Sequence, residues 1–392
     1  MIIKRIITPK LVSLSQQFPA IAILGPRQSG KTTLAQQTFP DYEYFSFEDP
    51  DIRDLVRQDY RGFLNKYTDS KGIILDEIQH VPDLLSYMQT HIDKHKKIGH
   101  FIITGSHNLL LNERISQSLA GRIAILTLLP LSIAELQQAN QLNASIDDTL
   151  FKGFYPSLYN SPAQPLDFYK SYINTYIERD VRQIKNIMDL TIFQNFMRLC
   201  AGRVGQILNY SSLSNDLGMS IHGVKQWLSI LEASYIIFLL KPYYRNFGKR
   251  LVHAPKLYFF DQGVACSLLS INNTDQLFSH YARGNLFESM IIADFYKQRF
   301  NFGLNPNSFY WRDKSDYEVD CIIEHANSLR PVEIKASQVY NKNALEQLGK
   351  WNVVTQTKQE DNILIYGGDL DQPTSQGQLL GWKSIGNLAN QE

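Results

Sequence analysis

Ile21-Ala22-Ile23-Leu24-Gly25-Pro26-Arg27-Gln28-Ser29-Gly30-Lys31-Thr32-Thr33 decides how the rest of the chain is read. Four apolar residues predict a short buried strand, and a helix begins at Leu34 and Ala35. The loop between them fits G-x-x-x-x-G-K-[ST] at every fixed position. The chemistry explains the residue types. Gly25 and Gly30 permit a tight turn whose N–H groups converge on phosphate oxygens, Lys31 reaches the β- and γ-phosphates, and the Thr32 hydroxyl can ligate Mg²⁺. The following helix aims its positive dipole end at the same anion. Gly25 to Thr33, with Pro26, Arg27, Gln28 and Ser29 inside it, is therefore the expected ATP-binding segment, with ATP and Mg²⁺ as ligands. A glycine turn with an incidental lysine would need neither the strand before it nor the helix after it.

The whole chain sets bounds on this reading. Its 392 residues suggest roughly two to three domains at ~150 residues each. With 44% hydrophobic and 20% charged residues, the composition is that of an ordinary globular protein. The net charge of +1 does not advertise nucleic-acid binding, so any basic surface must be local. Cys200, Cys266 and Cys321 are scattered, which argues against a zinc site or a disulfide frame and for a reducing compartment. The apolar run at Met1-Ile2-Ile3 is too short for a signal peptide, and no stretch approaches the ~20 residues of a membrane span. The expected location is the cytoplasm, with no membrane partner.

Downstream, Gly72-Ile73-Ile74-Leu75-Asp76-Glu77 reads as a buried parallel strand with two acids at its C-terminal end, where open α/β sheets place ligands. Asp76 would hold the metal, and Glu77 would orient and deprotonate the attacking water. His100 to Ser106 is a third strand, with Thr104 and Ser106 as alternative sensors of the γ-phosphate. Gly121-Arg122 follows a helix and precedes the strand Ile123 to Leu128. Arg122 is either a charge-stabilising arginine, acting in its own subunit or a neighbour's, or a structural one. Lys31, Glu77 and Arg122 are thus the catalytic candidates, and Thr32 and Asp76 the metal ligands.

Gly25–Thr33, Ile73–Glu77, Ile103–Ser106, Leu119–Arg122 and Leu129-Pro130-Leu131-Ser132, in that order, resemble the AAA-type ATPases of bacteria and archaea that carry a C-terminal region of unknown function. The resemblance continues through Gly153-Phe154-Tyr155-Pro156 and Tyr172 to Asp180, and covers nearly the whole chain. It implies ATPase chemistry more than a biological role.

Residues 133–150 have helical spacing, and Asp167 to Met188 reads as a long charged helix of a lid, with Arg179 and Arg182 one turn apart. Ser211 to Leu231 has helix-turn-helix grammar: a hydroxyl-capped helix, a turn at Gly218, and a second helix capped by Ser220, with Leu213, Leu217, Val224 and Leu228 on one face. Two strand-like segments, Ile236–Leu240 and Lys256–Phe260, flank a basic aromatic tip from Tyr243 to Arg250. Together they predict a winged helix. Lys225, Arg245, Lys249 and Arg250 are its candidate nucleic-acid contacts, and the alternative is a unit that only packs on its neighbours.

The last region predicts a helix carrying Glu288, a strand with Asp320, and a strand with Glu333-Ile334-Lys335. Strand alternation puts Glu333 and Lys335 on one face, where Asp320 and Glu288 can join them. This resembles the restriction-endonuclease-like nucleases, PD-(D/E)xK in pattern, although Val319 stands where the proline would be. The resemblance implies the fold more firmly than cleavage, and Gln347 is a weaker addition. The segment after Gly367 is rich in Gly, Gln and Ser and is expected to be loosely ordered.

The expected fold is α/β. A P-loop NTPase core with a parallel sheet and flanking helices spans 1–135, a helical lid 136–205, a winged-helix-like unit 206–262, and a restriction-endonuclease-like α/β domain 263–392. The expected activity is Mg²⁺-dependent ATP hydrolysis coupled to DNA handling, or alternatively an ATP-controlled switch on an inactive nuclease-like scaffold. DNA as a partner and self-association both stay open.

Overall fold

The computed structural model describes residues 2–106, 114–115, 117–177, 190–243, 254–326 and 328–390; of residues 176, 177 and 342 it describes the backbone alone. Arg179, Arg182, Arg245, Lys249 and Arg250 lie outside the described residues.

Among the described residues, five parallel strands form the first sheet: β1 (Ala20–Gly25), β2 (Glu43–Ser46), β3 (Ile73–Asp76), β4 (Phe101–Ser106) and β5 (Ile123–Thr127). Their spatial order is β2-β3-β4-β1-β5, so the strand that leads into the glycine loop is central. All six residues of β1 are buried, as a strand covered on both faces requires. Register aligns Gly25 with Ser106, which brings the loop and the end of β4 to the same edge. One face packs Leu24, Leu75 and Ile103 with the helix Leu84–His95. The other packs Ile21, Ile23 and Ile102 with Ile7 and Leu11 of the lead-in helix Thr8–Ser15.

The middle is helical. Ile133–Gln138, Ile146–Lys152, Ser157–Asn160 and Pro165–Tyr172 lead into a π-helical turn at Ile173–Ile177, and Leu190–Ala201 follows. Tyr210–Leu217 and Ile221–Ala233 are joined by Gly218 in the left-handed conformation, as expected. The first of these helices is capped by Asn209, not by a hydroxyl; its side chain accepts from the Ser212 N–H. Strands β6 (Ile237–Leu240) and β7 (Lys256–Phe259) pair antiparallel.

The C-terminal sheet is mixed and has six strands: β8 (Ser308–Arg312), β9 (Glu318–Glu324), β10 (Leu329–Lys335), β11 (Ile363–Tyr366), β12 (Gln372–Thr374) and β13 (Gly377–Gly381), in the order β12-β13-β11-β10-β9-β8. The expectation of a loose segment after Gly367 is overturned here. β13 pairs in parallel with β11, and Trp382, Ile385, Leu388 and Ala389 are buried. Glycine and glutamine content hid a short strand and an apolar anchor whose buried residues are few but large.

The expected boundaries at 205 and 262 do not separate cores. A single apolar cluster takes in Leu131 and Leu150, Phe196, Leu228, Phe259, Met290 and Ile334. The long helix Arg283–Asn301, buried over most of its length, is its axis.

Candidate functional site: a phosphate loop and an acid–lysine cluster

The glycine loop is shaped by two left-handed residues, Gln28 (φ 60°) and Gly30 (φ 94°). At Gly25 an added Cβ would meet the Leu128 carbonyl at 2.1 Å, so β1 and β5 can close only on glycine. The helix Lys31–Thr38 starts with no side-chain cap and no acid in its first turn, which leaves its N–H groups and dipole for an anion. Lys31 is buried, and its ammonium donates to the carbonyls of Gly25 (3.2 Å) and Pro26 (2.8 Å), inside the loop. The Ser29 hydroxyl is buried without a hydrogen-bond partner among the described residues. An orphaned donor beside a caged ammonium fits a phosphate.

Asp76 receives three hydroxyls. Thr32 donates to Oδ1 at 2.7 Å, Thr104 donates to the same oxygen, and Tyr44 donates to Oδ2 at 3.0 Å. Burial and the Asp76 charge push the Tyr44 phenol up to about 12, so it remains a donor. The oxygen donors Thr32 and Asp76 suit a hard cation such as Mg²⁺. Glu77 follows in a left-handed conformation (φ 57°, ψ 50°) unusual for a non-glycine residue. That turn lifts its carboxylate off the strand end, where the Gln79 amide donates to it and also to the Ser106 hydroxyl at 3.0 Å.

These groups open on a cleft of about 410 Å³ lined by Gln28, Gly30 to Thr33 and Glu77 on one side and by Pro156, Ser157, Asn160 and Ser161 on the other. A smaller hollow of about 120 Å³ adjoins it at Gly30, Thr33, Pro156 and Asn160, walled by Ile2, Ile3, Leu34 and Leu131. Tyr172 donates to the Arg27 carbonyl (3.4 Å), and Arg27 pairs with Glu48 at 3.7 Å. Arg5 braces the loop from outside, donating to the Ser29 carbonyl at 2.7 Å and pairing with Glu135 at 3.0 Å.

Arg122 stands away from the glycine loop of its own subunit. Its carbonyl accepts from the Ala20 N–H, which places it at the start of β1, and the loop begins five residues further on. That is about 16 Å at the rise of a strand. Its guanidinium forms a bidentate pair with Asp93 (2.6 and 2.9 Å). This turn lies at the opposite end of β1 from the glycine loop, a placement that only the pairing of β1 with β5 reveals.

The acids of the C-terminal region do come together. Glu333 and Lys335 share a face of β10, the Asp320 carboxylate accepts from the Ile334 N–H at 2.9 Å, and Lys335 reaches both Glu333 (2.5 Å) and Asp320 (3.5 Å). A pocket of about 470 Å³ is lined by Asp320, Glu333, Lys335 and Gln347 together with Tyr317, Glu318 and Lys350. Glu288 takes partners of its own. It bonds the Lys256 ammonium (3.2 Å) and the Tyr258 hydroxyl, and Lys256 also pairs with Glu318 at 2.5 Å. Burial pushes the carboxyls of Glu288 and Glu333 up, to about 7 and about 8, against the pull of Lys256 and Lys335 respectively. Among the described residues, no group of three or more His, Cys, Asp or Glu side chains is arranged to hold a metal ion.

Lys225 is exposed on the helix Ile221–Ala233, its ammonium 5.2 Å from the Tyr210 ring centre, and Gln226 bonds His222. Sequence reasoning missed Arg5, Tyr44, Gln79, Ser157, Asn160, Lys256 and Tyr258 as site residues. Gln79 stood two residues beyond the acid pair and Lys256 opened a recognised strand, whereas nothing local marked Arg5.

The family model of an AAA domain matches residues 17–137, and two models described as domains of unknown function (DUF8612 and DUF4143) match residues 143–275 and 283–385. Uncharacterized proteins of Mycobacterium bovis and Mycobacterium tuberculosis are each 26% identical over 321 residues, 81% of this chain and 70% of theirs. An uncharacterized protein of Haemophilus influenzae is 25% identical over 276 residues, 62% of this chain and 67% of its own. A Walker-type ATPase of Pyrococcus abyssi aligns over 67% of this chain and 94% of its own at 15% identity and a TM-score of 0.43. RuvB, a Holliday junction branch migration motor of Thermotoga maritima, aligns over 59% and 88% at 15% identity and a TM-score of 0.30. Strand order and glycine loop are those of a P-loop fold, and the match of the AAA-domain model to residues 17–137 supports an AAA-type ATPase domain there.

Proposed function

We propose that this protein hydrolyses ATP at the cleft between the first sheet and the helix Ser157–Asn160. The observation that carries the reading is the convergence of the Lys31 ammonium, the Thr32–Asp76 contact and the Glu77 carboxylate on one cleft. Loop N–H groups and Lys31 bind the β- and γ-phosphates and neutralise charge that grows on them during transfer. Thr32 and Asp76 would hold Mg²⁺, which would draw charge off the same oxygens. Glu77 orients the attacking water and accepts its proton, while Gln79 fixes the carboxylate and links it to Ser106. That link favours Ser106 as the sensor; Thr104 instead steadies Asp76. Ile2, Ile3 and Leu131 offer apolar walls for a flat base, and Gln37 a polar edge.

The test separates binding from chemistry. Lys31→Ala is expected to lose binding of a fluorescent ATP analogue. Glu77→Gln should bind it normally while phosphate release falls by a factor of about 10² or more. Normal hydrolysis by Glu77→Gln would remove Glu77 from the base role.

A second reading concerns the output. The paired helices Tyr210–Leu217 and Ile221–Ala233 leave His222, Lys225 and Ser229 exposed, which supports DNA binding driven by nucleotide state. Anisotropy of labelled duplex DNA with and without ATP would decide it. Binding that weakens with salt and with Lys225→Glu supports the reading, and none in either state leaves a switch acting on a protein partner.

A further inference from the structure

Four carboxylates, Glu288, Glu318, Asp320 and Glu333, meet at the edge where the β6–β7 pair abuts the C-terminal sheet. Carboxylates gathered in this way ordinarily share a divalent cation. Here each is bonded to an ammonium: Lys256 lies between Glu288 and Glu318, and Lys335 between Asp320 and Glu333. The two lysines differ in how they arrive. Lys335 is half-exposed and lies on the same strand as Glu333. Lys256 is 3% exposed and comes from another part of the chain.

Its backbone is fixed on both sides. On one side Lys256 bridges to Ile207, the Leu257 N–H donates to Gln206 (3.1 Å), and the Gly205 N–H donates to Leu257 (2.7 Å). On the other, β7 pairs with β6, whose continuation holds β8 through the bonds Tyr243 N–H to Tyr310 (2.7 Å) and Tyr310 N–H to Lys241 (3.1 Å). The Tyr310 ring faces the Lys256 ammonium at 5.6 Å. A buried ammonium persists only where carboxylates compensate it, and buried carboxylates need a cation in return.

We propose that Lys256 is a built-in counter-ion of Glu288 and Glu318, so that Glu288 is not joined to the Asp320–Glu333 pair by a divalent cation and the C-terminal pocket takes up no metal. The proposal is independent of the chemistry at the glycine loop.

The experiment is a Mn²⁺ titration of the nucleotide-free full chain, followed by the electron paramagnetic resonance of the free ion. The wild type and Asp320→Asn are expected to bind the same number of ions. Lys256→Met is expected to bind one more, and adding Asp320→Asn to it should abolish that gain. A wild type that binds one more ion than Asp320→Asn overturns the proposal, as does a folded Lys256→Met that gains none. Should Lys256→Met fail to unfold cooperatively, Lys256→Met/Glu318→Gln removes one carboxylate with the ammonium and keeps Glu288, Asp320 and Glu333. The same gain or absence of gain then decides.

Discussion

Glu77 sits at φ 57° although it has a side chain, and such a residue costs about 1–2 kcal/mol over an extended one. The cost is local, and in this turn the carboxylate accepts from Gln79 at the edge of the cleft. Glu77→Gly should therefore abolish turnover while keeping or raising the unfolding free energy measured in urea, by up to about 1 kcal/mol. A lower midpoint would show that the turn is not strained. A second residue reports on pH. His100 is 1% exposed, neither ring nitrogen has a hydrogen-bond partner among the described residues, and burial followed by the charge of Lys97 lowers its pKa to about 4. Between pH 6.5 and 4 the unfolded state takes up a proton that the native state refuses, so this contribution is complete above pH 6.5 and is lost on acidification. The urea midpoint should fall from pH 7 to pH 4.5, and fall less in His100→Phe; equal slopes would exclude His100 as the source.

At the scale of elements, the turn before the helix Ser157–Asn160 sets the far wall of the nucleotide cleft. Gly153 has φ 66° and ψ −160°, and an added Cβ would meet the Tyr169 hydroxyl at 1.9 Å and Asp261 at 2.6 Å. Asp261 is itself committed, accepting from the N–H groups of Phe154 (2.7 Å) and Val264 (3.2 Å). Gly153→Ala should cost about 2–4 kcal/mol in thermal unfolding and weaken binding of an ATP analogue through displaced Pro156. Unchanged affinity in the folded variant would detach this turn from the site. The same scale shows what the sequence could tell. β1, β3 and β4 were legible because buried parallel strands are continuous apolar runs, and Gly25–Thr33 because phosphate chemistry fixes its glycines. β13 was not, since its contacts with β11 lie in pairing rather than composition. Glu288, Asp320 and Glu333 were legible as acids on facing elements; their saturation by Lys256 depends on a tertiary contact between the β6–β7 pair and the second sheet.

Across the whole molecule, the nucleotide loop is wired to the far sheet by charges with almost no exposure. Arg5 joins the Ser29 carbonyl to Glu135, which caps its own helix with Ser132. From that segment, the Ile133 N–H donates to Asp294 (2.8 Å), and the Leu131 carbonyl accepts from Lys297 (3.0 Å) on the helix that also carries Glu288. Burial, against Asp294 and Asp261, lowers the Lys297 ammonium to about 8. Arg5→Ala should destabilise by about 3–5 kcal/mol because it strands the Glu135 carboxylate, and Arg5→Ala/Glu135→Gln should recover part of that loss. Additive losses in a denaturation cycle would mean that the two side chains do not act as a pair. Nothing in the sequence around Arg5 announces this role, since its partners lie 24 and 130 residues away.

The placement of β13 between β11 and β12 also has a consequence for how the chain is made. The first sheet has all five of its described strands once Thr127 has left the ribosome. The second stays unfinished until Gly381 has emerged, and until then β11 presents an open edge of unpaired backbone groups. The long helix waits as well, because Gln298 takes its partners from Ile385 (2.7 Å) and Ala389 (2.9 Å). A nascent chain halted between those points would expose an adhesive strand beside an already formed nucleotide-binding half, which makes late translation the interval in which this protein most needs a chaperone.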